Sequence, residues 1–189
     1  MTISKFDPNN FYHIYNRSIG KDLLFNNHLD YHYFISKMKR YILPYAKIYS
    51  YCLIPNHFHL LIRIKDAKDL PTGPHTITLD QAFKNFFNSY TRSYNISHKR
   101  IGRLFQQGYK CKLIDSENYL LWIIFYIHRN PIHHKLTQDC STWEYSSYND
   151  ILHEKNYKIS QHIFELYGSK NAFIEFTEEL AKEYIVDDI

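Results

Sequence analysis

The alternation of apolar and polar positions divides the chain into strands and helices. Phe11–Arg17 (FYHIYNR) is aromatic and roughly alternating, which predicts a strand. Leu29, Tyr33, Phe34, Met38 and Tyr41 recur at helical spacing, predicting a helix over 28–41 with Pro44 beyond its end. Residues 46–54 and 57–64 read as strands joined by a tight turn at Pro55-Asn56. A loop rich in Pro and Gly (66–78) leads into a second helix from Leu79 to about Tyr94. Residues 98–108 form a basic connection, and 109–114 a short strand. Asp115 or Ser116 caps a helix running to about His128, with Asn130-Pro131 marking its end. Beyond that the pattern weakens: Trp143 and Tyr145–Tyr148 suggest a packed surface loop, and helical spacing returns from about Ser160.

A chain of 189 residues fits one domain, or one domain with a tail. The division expected is a main domain over 1–151 and a helical, acidic extension over 152–189. Hydrophobic residues are 44% and charged residues 22%, which excludes disorder along the whole chain. No apolar run approaches the roughly 18 residues of a membrane span, and the N-terminus lacks the layout of a signal peptide. Cys52, Cys111 and Cys140 form no CxxC pair, so a reducing, cytoplasmic setting is expected rather than a disulfide framework.

The formal charge of +4 conceals a basic middle and an acidic end. Residues 81–114 contain no acidic side chain. They carry Arg92, Lys99, Arg100, Arg103, Lys110 and Lys112 among Phe86, Phe87, Tyr90, Tyr94, Phe105 and Tyr109. Cations hold phosphates and rings stack on bases, so the segment suits nucleic acid. It equally suits a solvated helix face with its aromatics in the core. Glu175, Glu178, Glu179, Glu183, Asp187 and Asp188 make the C-terminus acidic.

The richest triplet is His57-Phe58-His59. On a strand, His57, His59, Leu61 and Arg63 share one face, while Phe58, Leu60, Ile62 and Ile64 line the other. The imidazoles are then close enough to share one divalent metal ion, or they are two half-exposed histidines on a sheet. Tyr126 and Asn130 are four residues apart, so a helix projects hydroxyl and amide together. Their plainer reading is a core aromatic and a helix cap.

The segments FYHIYNRS (11–18), YCLIPNHFHLLIRI (51–64), GRLFQQGYKCKLI (102–114) and YLLWIIFYIHRNPIHHKL (119–136) together resemble the single-tyrosine HUH transposases of the insertion-sequence-200-like type. More narrowly they resemble the REP-associated tyrosine transposase branch. WEYSSYNDI (143–151) is similar to that family's closing segment, so the resemblance covers about residues 5–151. It implies an α+β, ferredoxin-like fold: an antiparallel sheet carrying the HUH triplet, with helices on one face. It implies that His57 and His59 bind a divalent metal, Mg2+ or Mn2+, with Asn130 as third ligand, and that Tyr126 is the nucleophile. Tyr90, Tyr94 and Tyr109 are rival nucleophiles. The implied activity is nicking and rejoining of single-stranded DNA near palindromic hairpins through a 5′-phosphotyrosine, by a monomer or homodimer. Arg92, Lys99, Arg100, Arg103, Lys110 and Lys112 would hold the DNA, and His128, His133 and His134 would lie on the surface or contact DNA. Two alternatives remain: a non-catalytic hairpin-binding protein on the same fold, and an unrelated zinc hydrolase using the histidine pair.

Overall fold

The computed structural model describes residues 6–178. Strands β1 (Phe11–Arg17), β2 (Ala46–Ile54), β3 (His57–Ile64) and β4 (Lys110–Ile114) form one 4-stranded antiparallel sheet in the order β2-β3-β1-β4. Helices α1 (His28–Ile42) and α2 (Leu79–Ser97) occupy the two crossovers, giving the β-α-β-β-α-β order of a ferredoxin-like fold. The chain continues into α3 (Glu117–His133), the short α4 (Tyr148–Leu152), α5 (Tyr157–Tyr167) and α6 (Lys170–Glu178).

The apolar face predicted for β3 is buried as expected. Phe58, Leu60, Ile62 and Ile64 join Tyr12 and Ile14 of β1 in a core closed by Phe34 and Met38 of α1 and Phe83, Phe86 and Tyr90 of α2. Phe58 is 1% exposed and meets Phe34, Phe87 and Phe105 at ring separations of 5.1, 5.8 and 6.3 Å. We expect Phe58→Ala to cost about 3–5 kcal/mol, measured as the change in urea unfolding free energy.

The opposite face is covered too, which corrects the expectation of helices on one face only. Leu61, Cys52, Ile54 and Tyr49 pack with Ile123, Tyr126 and Ile127 of α3, and Ile163, Phe164 and Phe173 of α5 and α6 join the same core. Tyr167 donates its hydroxyl to the Leu121 carbonyl at 2.6 Å, tying α5 to α3. Among the described residues no helix is long and apolar enough to cross a membrane.

Local chemistry explains the element boundaries. Asn27 caps α1 in a capping box with Asp30, and Asp30 also pairs with His98 at the end of α2. Ser116 caps α3 as predicted. α3 then runs through Pro131 to His133 instead of stopping near His128. Proline removes one N–H, but the last turn closes around it through His134 N–H donating to the Asn130 carbonyl at 3.1 Å. α2 likewise extends to Ser97. The loop predicted at Trp143 and Tyr145–Tyr148 holds over 143–147, while Tyr148 starts α4 and is fully buried. Of the acidic C-terminal residues, Glu179, Glu183, Asp187 and Asp188 lie outside the described residues.

Candidate active site

Strand pairing builds the site. Opposed residues in antiparallel strands share a face, so Tyr15 beside His59 and Arg17 beside His57 place β1 and β3 side chains together. On the other flank of β1, Lys110 lies opposite Tyr15 and Lys112 opposite His13. The His57/His59 face therefore also presents His13, Tyr15, Lys110 and Lys112.

α3 crosses this face and brings Tyr126 and Asn130 to it. The Tyr126 ring meets the His59 ring edge-on, with centroids 5.1 Å apart. His57 Nε2 is 3.1 Å from Asn130 Oδ1, and the two histidine rings are 5.2 Å apart. Tyr126 and His59 are each 4% exposed and Asn130 is 1% exposed, while His57 is half-buried. One turn back on α3, Trp122 stacks on Tyr126 at 5.2 Å, and Tyr119 stacks on Trp122 at 5.9 Å. Lys112 Nζ lies 4.7 Å from the Tyr119 ring centre, so an aromatic row ends in a cation beside the site.

The hydrogen bonds of the two histidines fit ligation of a divalent cation. His57 Nδ1 is held by Asn56 Oδ1 at 2.8 Å, and His59 Nδ1 by His13 Nε2 at 2.9 Å. In each ring Nδ1 is engaged by a second group, the arrangement that orients ligating imidazoles, and a metal bound at Nε2 would replace the direct His57–Asn130 contact. Asn130 supplies an amide oxygen against His57, and its buried Nδ2 has no hydrogen-bond partner within the described structure. Burial, followed by the charges of His13, His57 and His134, holds His59 well below its ordinary pKa. Burial and then Lys112 push His13 down to about 3. Both imidazoles are therefore neutral, the form that binds metal.

His13 was not singled out by sequence. If His59 ligates through Nε2, its Nδ1 carries the proton and donates to His13 Nε2, which fixes His13 as the Nδ1–H tautomer. We expect His13→Ala to weaken Mn2+ binding about 10–100-fold, measured by calorimetric titration.

The rival tyrosines are elsewhere. Tyr90 and Tyr94 donate to the Leu24 and Leu23 carbonyls, and Tyr109 donates to Asp80 at 2.7 Å. All belong to the α1/α2 side of the sheet, away from the histidine pair. Arg92, Lys99, Arg103, Lys110 and Lys112 are exposed. Arg100 is engaged with Asp22 and with the Gly102 and Arg103 carbonyls, so it braces the 100–103 turn. His134 sits with its ring 4.7 Å from that of His57, and His133 is exposed.

His128 is buried rather than a surface residue. It packs against Tyr148 and Phe173 and shares a 2.9 Å hydrogen bond with Ser147 Oγ. Burial lowers its pKa to about 3. The unfolded chain protonates this imidazole near pH 6.5, so it binds the extra proton throughout the window from 6.5 to about 3. Stability is lost as pH falls through that window, by about 2 kcal/mol between pH 6.5 and 5 from this group. Urea unfolding at the two pH values should show a shallower pH slope in His128→Gln.

No protein-family model matches this sequence, and no curated protein does. A solved structure of the REP-associated tyrosine transposase bound to a REP hairpin is similar to it, with a TM-score of 0.61 and 16% identity, over 82% of this chain and 86% of that one. The two share a fold. The likeness extends over most of both chains, and it agrees with the α+β architecture built from the strand order above.

Proposed function

We propose that this chain cleaves and rejoins single-stranded DNA beside a hairpin, with Tyr126 as nucleophile. The observation that carries the reading is the meeting of Tyr126 and Asn130 of α3 with His57 and His59 of β3, in a site that one chain completes. The solved neighbour holds a REP hairpin, which favours a palindromic hairpin as the substrate here.

The Tyr126 oxygen attacks a backbone phosphorus. The new O–P bond replaces the P–O3′ bond, leaving a 5′-phosphotyrosine; the tyrosine hydroxyl gives up its proton and the departing 3′-oxygen takes one up. In the reverse sense a 3′-hydroxyl attacks the phosphotyrosine, restoring the DNA bond and the tyrosine hydroxyl without ATP. A free tyrosine titrates near pH 10, so at neutral pH the hydroxyl must lose its proton as it attacks, and a more electrophilic phosphorus eases that attack. His57, His59 and Asn130 would hold a divalent ion, Mg2+ or Mn2+, that supplies Lewis-acid polarisation of the scissile phosphate. Two imidazoles with one amide oxygen suit Mn2+ better than Mg2+, which prefers all-oxygen shells. Trp122 and Tyr119 offer stacking surfaces for unpaired bases, and Lys110 and Lys112 offer phosphate contacts. Arg92, Lys99 and Arg103 extend the basic surface beyond the site.

The test uses a labelled hairpin with a single-stranded flank and Mn2+. Cleavage should leave a free 3′-hydroxyl and a 5′ end blocked by protein. Tight hairpin binding by metal-loaded protein with no cleavage would leave the chain as a binding module.

A further inference from the structure

We propose that His28, His32 and Glu144 form a second metal site, selective for Zn2+, that clips the start of α1 to the segment around residues 143–147. His28 and His32 are one turn apart on α1, with ring centroids 4.1 Å apart. The Glu144 carboxylate faces both: Oε2 is 3.9 Å from His28 Nδ1, and Oε1 is 4.0 Å from His32 Nε2. One donor atom from each side chain lies within 4.8 Å of the other two. Zinc bonds of about 2.0–2.2 Å place tetrahedral ligands about 3.3 Å apart. Inward movements of up to roughly 0.8 Å by each side chain close a gap as wide as 4.8 Å. All three are more than half exposed, so they have room to move.

Both backbones are fixed before any ion arrives. The Asn27–Asp30 capping box sets the first turn of α1. Across from it, Trp143 Nε1 donates to the Leu53 carbonyl at 2.9 Å, and Leu53 N–H donates to the Tyr145 carbonyl at 2.9 Å. The Tyr145 ring stacks on Tyr31 at 3.7 Å, with planes 8° apart. The Tyr145 hydroxyl is 2.8 Å from the same His28 Nδ1, so a zinc ion bound by that nitrogen displaces this hydrogen bond while the Tyr145–Tyr31 stack stays. Two imidazoles and a carboxylate suit zinc rather than Mg2+ or Ca2+.

The site holds structure rather than performing hydrolysis. The nearby acid, Asp30, is buried and committed to the helix cap and to His98, so it is not placed as a general base. The clipped segment leads instead to Ser147, whose hydroxyl accepts from Tyr51 N–H at 2.8 Å and bonds His128 of α3. Zinc here would therefore stiffen the support beneath the helix that carries Tyr126 and Asn130.

The test is a calorimetric Zn2+ titration of metal-stripped, full-length protein, with melting temperature as a second readout. Wild type and His57→Ala/His59→Ala should both retain a zinc equivalent that His28→Gln/His32→Gln and Glu144→Gln lose. Zinc should raise the melting temperature of the last two proteins less than that of wild type. Tyr145→Phe, which removes the hydroxyl that competes for His28 Nδ1, should retain that equivalent. Equal zinc stoichiometry and equal thermal shift in wild type, His28→Gln/His32→Gln and Glu144→Gln would overturn the proposal. So would loss of every zinc equivalent in His57→Ala/His59→Ala.

Discussion

Tyr126→Phe should lower strand cleavage at least about 10³-fold, while hairpin affinity changes less than about threefold. The substitution removes the attacking oxygen, and with it the covalent route. The ring remains, so the stack on Trp122 at 5.2 Å and the edge contact with His59 persist, and the fold should be intact. Tyr94→Phe is the control: its hydroxyl bonds the Leu23 carbonyl on the other side of the sheet, so cleavage should survive. Rates come from single-turnover cleavage of a labelled hairpin, and affinities from fluorescence anisotropy at fixed salt. Equal loss of cleavage in both variants would point to a general effect on the fold.

The second large effect is at His59. His59→Ala should reduce Mn2+ affinity by at least about 100-fold and abolish cleavage at micromolar metal, with partial return at millimolar Mn2+. His59 is buried between His13 and Tyr126, so its loss removes one donor and unseats the group that orients it. Wild-type protein in EDTA should reproduce the catalytic defect without the structural one. Calorimetric titration and cleavage across a metal series separate the two. Unchanged Mn2+ affinity in His59→Ala would remove the histidine pair from the metal site.

Much of this architecture can be read from local pattern. The bounds of the β2–β3 hairpin are legible because the alternation in HFHLLIRI, broken at Leu61, marks one wholly apolar face and Pro55-Asn56 marks the turn. The adjacency of Tyr126 and Asn130 follows from helical spacing alone. What escaped the sequence depends on partners distant in the chain. His13 reads as one strand residue among others until β1 pairs with β3 and sets it against His59, 46 positions away. Arg100 looks like a free cation until Asp22, 78 positions away, pairs with it. The covering of the second sheet face was missed because the α3 segment, though legible as a helix, carries no local signal of which sheet face it packs against. Pro131 suggested a helix end, yet helical geometry survives it because only one backbone bond is removed, in the final turn. The meeting of β3 with α3 also needed tertiary structure, since nothing in either segment alone requires it.

The most direct measurement is a covalent-adduct assay. Protein is incubated with labelled single-stranded DNA containing a hairpin, with Mn2+ or with EDTA, then denatured and digested for peptide mapping. The account predicts a band that survives denaturant in Mn2+ but not in EDTA, with the nucleotide attached to Tyr126. A nucleotide attached to any other tyrosine, or cleavage with no protein-linked 5′ end, would contradict it.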